Sequence, residues 1–259
     1  MDVLVWAQAG DEENVLSLVR QHPVFSHFSE QFWTPHFIRH NLMLYRRGEL
    51  LYEIDKVADA CYLICSGRVG LLAGGTWGRP TMFAIKSRGN VVGDLSLFDN
   101  APRTSTARAL EPSLALTLPY DVVRANLTDN PAIACRILSA YATRIRASDQ
   151  RLIEALNLDL INRLARLLLE IAQGLTEFEL DVTQEEIASL VGASRERTNK
   201  ALATLQRSGA LTIHRHRVYR ILDAEKLADL ALQWSDDRAP TERLSDQSGP
   251  VGPDLVQSS

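Results

Sequence analysis

Residues 183–202, TQEEIASLVGASRERTNKAL, constrain this chain more than any other run. Two short helical patterns flank a Gly192-Ala193 turn. Ile187, Leu190 and Val191 fall at i, i+3 and i+4 on the first helix, and Ala201, Leu202 and Leu205 form the apolar face of the second. Ser194 stands at an N-cap position, with Arg197 rather than Glu at N3, so it caps without a capping box. The second helix opens on Arg195, Glu196, Arg197, Thr198, Asn199 and Lys200. These are groups for base edges and phosphates, presented from the first turns of a helix, as a helix-turn-helix does in the major groove. An ordinary helical corner with a solvated charged face is the competing reading. Charge favours DNA. Residues 182–222 carry seven Lys/Arg and three Glu, a balance of +4, whereas the whole chain is −4. A basic segment in an acidic protein is the expected footprint of phosphate contact.

The 259 residues suffice for one large or two modest domains, and 46% hydrophobic with 23% charged residues is ordinary for a globular protein. No run of about 18 apolar residues reads as a membrane span. The opening MDVLVWAQAG lacks the basic and apolar regions of a signal peptide. Cys61 and Cys65 lie in an alternating strand pattern, ACYLICSG, and read as small buried residues; with Cys135 they are too few for a disulfide scaffold. The expected compartment is the reducing cytoplasm. No Ser-His-Asp signature, zinc spacing or Walker loop appears, so an enzyme is not expected.

Residues 13–120 are strand-rich. LLYEI, ACYLICSG, RVGLLAG, TMFAIKS, NVVGDLSLF, TSTARAL and LALTLPY recur between glycine and proline punctuation, the spacing of a small antiparallel sandwich or jelly roll. Helical pieces bracket it at 13–21 and 120–127. A long helix is expected after Pro131. Along it Leu138, Tyr141, Ile145, Ser148, Leu152 and Ala155 are spaced 3, 4, 3, 4, 3. This heptad seam suits a parallel dimer, against the alternative of a helix packed on its own domain. Beyond it, Asp159 can cap a helix with the face Ile161, Leu164, Ala165, Leu168 and Ile171, and Gly174 ends it. FELDVT reads as a short strand, and LTIHRHRVYRIL alternates as a wing hairpin. A last helix is expected at 225–233. The sequence divides into a sensor domain at 1–130, a dimerisation helix at 131–157, a winged helix-turn-helix at 158–234 and a polar, disordered tail at 235–259. The fold class is α+β.

This order of parts resembles the CRP/FNR family of transcription regulators, over residues 15–229. GDLSLFDNAPRTSTARA at 93–109 is similar to that family's phosphate-binding cassette, whose form is G-E-L-x-L-F followed by an arginine and Ser/Thr. SRERTNKAL is similar to its recognition helix, S-R-E-T-V-x-(R/K). Read as chemistry, the turn after Gly93 and Leu95 offers backbone N–H groups to an anion. Arg103 can pair bidentately with a phosphate, Thr104 adds a hydroxyl, and Asp94 can accept from a ribose hydroxyl. The resemblance implies that Ser148 and Asp149 meet an adenine amino group from both subunits, and that Arg144 lies near the phosphate. The ligand it implies is cyclic AMP or another cyclic nucleotide. There are departures. Asp94 stands for the usual Glu, Asp149 for a neutral residue, and Ile54 for a glycine in an early turn; the loop Gly74-Gly75-Thr76-Trp77-Gly78 is unusual. No iron–sulfur cluster is expected from three dispersed cysteines. Neither haem nor metal is expected, because His22, His27, His36 and His40 have no diagnostic context.

The function expected is a homodimer reading a near-palindrome in double-stranded DNA. Arg195 would take a guanine and Glu196 a cytosine amino group. Arg197 and Lys200 would reach bases or phosphates, and Thr183, Ser194, His214 and Arg215 would hold the backbone. RNA polymerase is a further partner the family implies. The alternative is a constitutive DNA-binding regulator with a vestigial pocket.

Overall fold

The computed structural model describes residues 9–74, 80–214 and 217–232. Arg215, the expected tail at 235–259 and most of the glycine-rich loop after Gly74 lie outside the described residues.

The sensor domain is two four-stranded antiparallel sheets face to face, which is the jelly-roll solution to exposed strand edges. One has the order β1-β8-β3-β6 and the other β2-β7-β4-β5. The strands are β1 Leu42–Tyr45, β2 Leu50–Tyr52, β3 Ala60–Ser66, β4 Arg68–Gly74, β5 Pro80–Ser87, β6 Val91–Val92, β7 Thr106–Ala109 and β8 Ser113–Pro119. Between the sheets lies a core that includes Ile64, Val69, Val92, Ala107 and Ala115. The expected long strand NVVGDLSLF is cut short. Gly93, at φ +73, turns the chain after Val92, and α3 (Ser96–Asp99) follows.

Three helices pack on the β1-β8-β3-β6 sheet: α1 (Ala9–Gln21), α2 (Pro35–Asn41) and α4 (Tyr120–Asp129). The α2–β1 stretch is absent from the sequence expectation. Thr34 caps α2, its hydroxyl accepting from the Phe37 amide at 3.1 Å, with Pro35 in the first turn. Phe25, Phe28, Phe32, Trp33 and Phe37 form an aromatic cluster here, with ring centroids 4.2–6.2 Å apart along successive pairs.

Helix α5 (Ala132–Asn157) starts where Pro131 predicts and spans 26 residues, about 39 Å of rise. The second domain contains α6 (Leu160–Ala172), β9 (Glu177–Glu179), α7 (Gln184–Leu190), α8 (Arg195–Arg207), β10 (Leu211–His214), β11 (Val218–Ile221) and α9 (Ala224–Leu232). Asp159 is the N-cap residue of α6 but makes no side-chain cap bond, so only the position is as expected. The wing gains β9 as a third strand, in the order β10-β11-β9. Ile187, Val191, Ala201, Leu202 and Leu205 are all buried, as the helical spacing requires.

The two domains share one apolar cluster. Leu72, Met82 and Leu110 of the sensor pack with the core of the DNA-binding domain, Leu164, Ile187 and Leu205 included. Around it run polar ties. Arg108 pairs with Glu186, Arg47 reaches Asp181, and the Gln173 amide donates to Ser87 Oγ at 2.6 Å.

Candidate functional site

The cassette is built around Arg103, which is 3% exposed. Its Nη1 donates to the Gly93 carbonyl at 2.7 Å and to the Tyr120 hydroxyl at 3.0 Å; its Nη2 donates to the Ala60 carbonyl at 2.6 Å. The guanidinium lies 4.4 Å from the Tyr52 ring centroid and within 5.9 Å of those of Tyr62 and Tyr120. Cation–π attraction and three charge-assisted bonds offset the cost of burying the charge. Burial pushes the Tyr120 hydroxyl up to about 12, the nearby guanidinium pulling against it. Arg103 Nε is buried without a partner. Both terminal nitrogens are turned to protein acceptors, so a phosphate would have to compete with them for the guanidinium. No sequence signal marks this tyrosine cage, since its members come from β2, β3 and α4.

Backbone geometry supports the cradle. A Cβ on Gly93 would lie 2.5 Å from Arg103 Nη1 and 3.0 Å from Tyr52 Cε1. The early turn that lacks the usual glycine places Asp55 at φ +63. It is tied to the cassette by Asp55 N to Arg103 O and Arg103 N to Lys56 O, each 2.9 Å. Thr104 and Leu95 are exposed at the rim. Gly93, Asp94, Leu95, Arg103 and Thr104 are thus brought together, and with them Arg144. The cavity they line is only about 80 Å³, against roughly 300–1,000 Å³ for ligand pockets.

Asp94 faces α5. It accepts from the Tyr141 hydroxyl at 2.8 Å and from Arg144 Nη1 at 2.5 Å. Burial, then Asp94, drives the Tyr141 hydroxyl far above its ordinary range. Tyr141 is half-buried, tied to its own cassette and edge-on to Phe98 at 5.7 Å. Leu138, Ile145 and Leu152 do face outward, at 67%, 60% and 61% exposure. Leu156, at 62%, extends the line beyond the predicted set, and Ala155 is exposed beside it. Ser148 donates to its own helix at Arg144 O, 3.0 Å, a local bond that satisfies a hydroxyl on an apolar line. Neither Ser148 nor Asp149 lines the cassette cavity.

On α8, Arg195, Glu196, Arg197 and Lys200 are exposed, and Ser194 caps the helix through the Arg197 amide at 3.4 Å. Glu196 pairs with Lys200 at 2.7 Å. Thr198, grouped with the base-edge residues by sequence, is fully buried and belongs to the packing. Thr183 heads α7 in a capping box with Glu186. Its amide donates to Glu186 Oε2 at 2.8 Å and its hydroxyl lies 3.2 Å from the same oxygen, so both take part in the cap. The signal was present as T-x-x-E. His214 is exposed at the end of β10, and Arg215 next to it lies outside the described residues.

Known proteins carry the same two parts. Residues 42–130 match the cyclic nucleotide-binding domain, and residues 162–230 match the Crp-like helix-turn-helix domain. The chain is 35% identical over 189 residues to a CRP-like cAMP-activated global transcriptional regulator of Mycobacterium tuberculosis, covering 70% of this chain and 84% of that protein. The chain belongs to the CRP/FNR family of transcription regulators. A cyclic AMP receptor protein of Thermus thermophilus is 29% identical over 177 residues, covering 66% of this CRP/FNR chain and 79% of that one. A CRP/FNR-family transcriptional regulator of solved structure, also from Thermus thermophilus, shares the fold, with a TM-score of 0.63 at 22% identity over 75% of this chain and all of that one. The domains and relatives of this CRP/FNR protein are those of DNA-binding regulators, not enzymes. No helix among the described residues is long and apolar enough to cross a membrane.

Proposed function

We propose that the protein is a homodimeric, cytoplasmic, sequence-specific regulator whose sensor domain takes a cyclic nucleotide. One observation carries this reading: α5 presents an outward apolar line, Leu138, Ile145, Leu152 and Leu156, on the chain whose α8 presents Arg195, Glu196, Arg197 and Lys200. A monomer has no use for such a line, and a second α5 would cover it. Two α8 helices related by a twofold axis would read half-sites about one turn of duplex apart. Arg195 takes guanine O6/N7 and Glu196 a cytosine amino group. Opening the exposed Glu196–Lys200 pair for this costs little, about 0.3–0.5 kcal/mol. Arg197 and Lys200 reach bases or phosphates, Thr183, Ser194, His214 and Arg215 hold the DNA backbone, and RNA polymerase is the further partner. The domain limits are those of the sequence reading, 1–130, 131–157 and 158–234.

For the ligand, the M. tuberculosis relative is named as cAMP-activated, which supports cyclic AMP. Its phosphate would draw on Arg103 and Thr104, its ribose on Asp94, and its base on Ser148 and Asp149 of the seam helix. To enter, it must widen the 80 Å³ cavity and turn Arg103 from its carbonyls. The same two facts favour a second reading, a ligand-independent regulator with a vestigial pocket. Operator affinity, on a site selected from random DNA, separates the two when measured with and without cyclic AMP and cyclic GMP. A ligand that acts must bind one state better than the other. Equal affinities in every case, with no calorimetric heat, select the second reading. Arg195→Ala should cost about 1–3 kcal/mol on the selected operator and little on random DNA. Equal loss on both would remove α8 from the groove.

A further inference from the structure

A second cavity, of about 490 Å³, shares Val91, Asp94 and Arg144 with the cassette cavity and is otherwise lined by different residues. It is walled by the turn after α1, by α3 and α4, and by the N-terminal half of α5. Its volume falls within the range of small-molecule sites, as that of the cassette cavity does not. The lining is mainly apolar, with Val24, Phe25, Leu97 and Val123 joined by Ile137 and Ala140 of α5. None of Gly93, Arg103 or Thr104 lines it.

Charge in this cavity is one-sided. Lys86, Arg136 and Arg144 line it against a single carboxylate, Asp94. Asp94 is already shared by Arg144 and the Tyr141 hydroxyl. Lys86 and Arg136 stand in no ion pair among the described residues. Burial lowers the pKa of Lys86, the neighbouring Arg151 and Arg144 lower it further, and Glu170 and Asp94 pull against them. An anion entering the apolar chamber beside Lys86 would favour its charged form. His22 on the same wall adds no charge near neutral pH, since burial brings it down to about 4.

We infer that this cavity is an effector site for a small organic carboxylic acid with an aliphatic or aromatic body, distinct from the nucleotide cassette. The body fills the space between Phe25, Leu97 and Ala140, and the carboxylate sits by Lys86 and Arg144. Arg144 lines both cavities. An acid that engages it draws it from Asp94, so occupancy here alters the carboxylate that faces the cassette.

Calorimetry on the full-length protein tests this with 2-naphthoate and decanoate as probes and 2-naphthalenemethanol as the uncharged control. At least one acid should bind saturably at one site per chain, and the alcohol should bind about tenfold more weakly than 2-naphthoate or not at all. Ala140→Trp, which fills the chamber, should abolish binding. Lys86→Met should weaken it about tenfold. Thr104→Val, at the cassette rim, should leave it unchanged. Circular dichroism checks that each variant is folded, and if Ala140→Trp is not, Lys86→Met decides. No saturable heat from either acid overturns the inference. So does an alcohol that binds as well as 2-naphthoate, or acid binding untouched by both cavity variants. Neither DNA nor a cyclic nucleotide enters the measurement, so its failure is separate from failure of the proposed function.

Discussion

Arg103→Leu should unfold the nucleotide-free protein more easily, before any ligand is considered. The side chain makes three hydrogen bonds from a buried charge, to Gly93 O, Ala60 O and the Tyr120 hydroxyl. Bonds of this kind are worth about 1.5–3 kcal/mol each, so about 5–9 kcal/mol gross. Against that stands the cost of keeping a guanidinium out of water, several kcal/mol. Leucine regains the second term, loses the first, and leaves the Ala60 carbonyl without its guanidinium partner. The net expectation is about 2–4 kcal/mol of destabilisation. For a chain of this size a kcal/mol moves Tm by about 2–4 °C, so the melt should fall by roughly 5–15 °C. Differential scanning fluorimetry at fixed protein concentration reads this, with Thr104→Ala, exposed beside it, as a variant expected to change little. Arg103→Lys should fall between, since one ammonium cannot reach acceptors on two sides. A melt of Arg103→Leu within about 2 °C of the parent would refute the keystone argument. If it holds, lost nucleotide binding in that variant does not by itself prove phosphate contact.

Gly93→Ala should cost at least about 1–2 kcal/mol from its left-handed backbone, and more from the 2.5 Å approach to Arg103; a melt equal to the parent's would contradict the cradle. The double variant Ile145→Asp, Leu152→Asp should sediment as a monomer that has lost operator binding, because each change sets a charge in an apolar seam; a persisting dimer would place the interface elsewhere. The His22 imidazole is brought down to about 4 by burial, while a backbone bond to Gly89 pulls the other way. Its neutral form belongs to the folded state, so its contribution is complete above about 6.5 and is lost as pH falls from about 6.5 to about 4. His22→Asn retains an acceptor for the Val24 and Phe25 amides, each 3.2 Å away, and should flatten stability over that window. An unchanged pH slope would mean that His22 titrates normally.

What the sequence disclosed is what short-range physics writes into it. The helix-turn-helix was legible because Ile187, Val191, Ala201 and Leu205 repeat at helical spacing and Gly192, at φ +63, breaks the run. Sheet strands such as ACYLICS alternate or run apolar between turns. Thr34 and Thr183 carried cap signals that could have been read, T-P before α2 and T-x-x-E in α7. The direction of Arg103 could not, since its acceptors lie ten, 17 and 43 residues away along the chain. Tyr141 illustrates the limit of periodicity. At 3.6 residues per turn it stands about 60° from Leu138 and about 40° from Ile145, inside the stripe, and its bond to Asp94, 47 residues away, is what spacing along the helix does not disclose. The docking of α7 on the sensor was equally illegible, because Arg108 and Glu186 are 78 residues apart.

That docking bears on how a ligand can act. Arg103 and Thr104 lead directly into β7, and Arg108 on β7 pairs with Glu186, which also completes the cap of α7 through Thr183. A continuous line of bonded groups therefore joins the cassette to the helix-turn-helix. Partly exposed ion pairs contribute little, about 0–1 kcal/mol each. The contact is held instead by Leu72, Met82 and Leu110 packed into the core around Ile187 and Leu205. Burying a side chain of this size contributes about 1.5–3 kcal/mol. Releasing even one of these residues thus costs more than the roughly 1.4 kcal/mol that a tenfold change in DNA affinity represents. A ligand that shifts affinity tenfold need not undock the domain. A small change in the angle at which β7 presents Arg108 to α7 is energetically nearer to hand than separation, and the line from Gly93 through Arg103 to Glu186 is where that change would be transmitted.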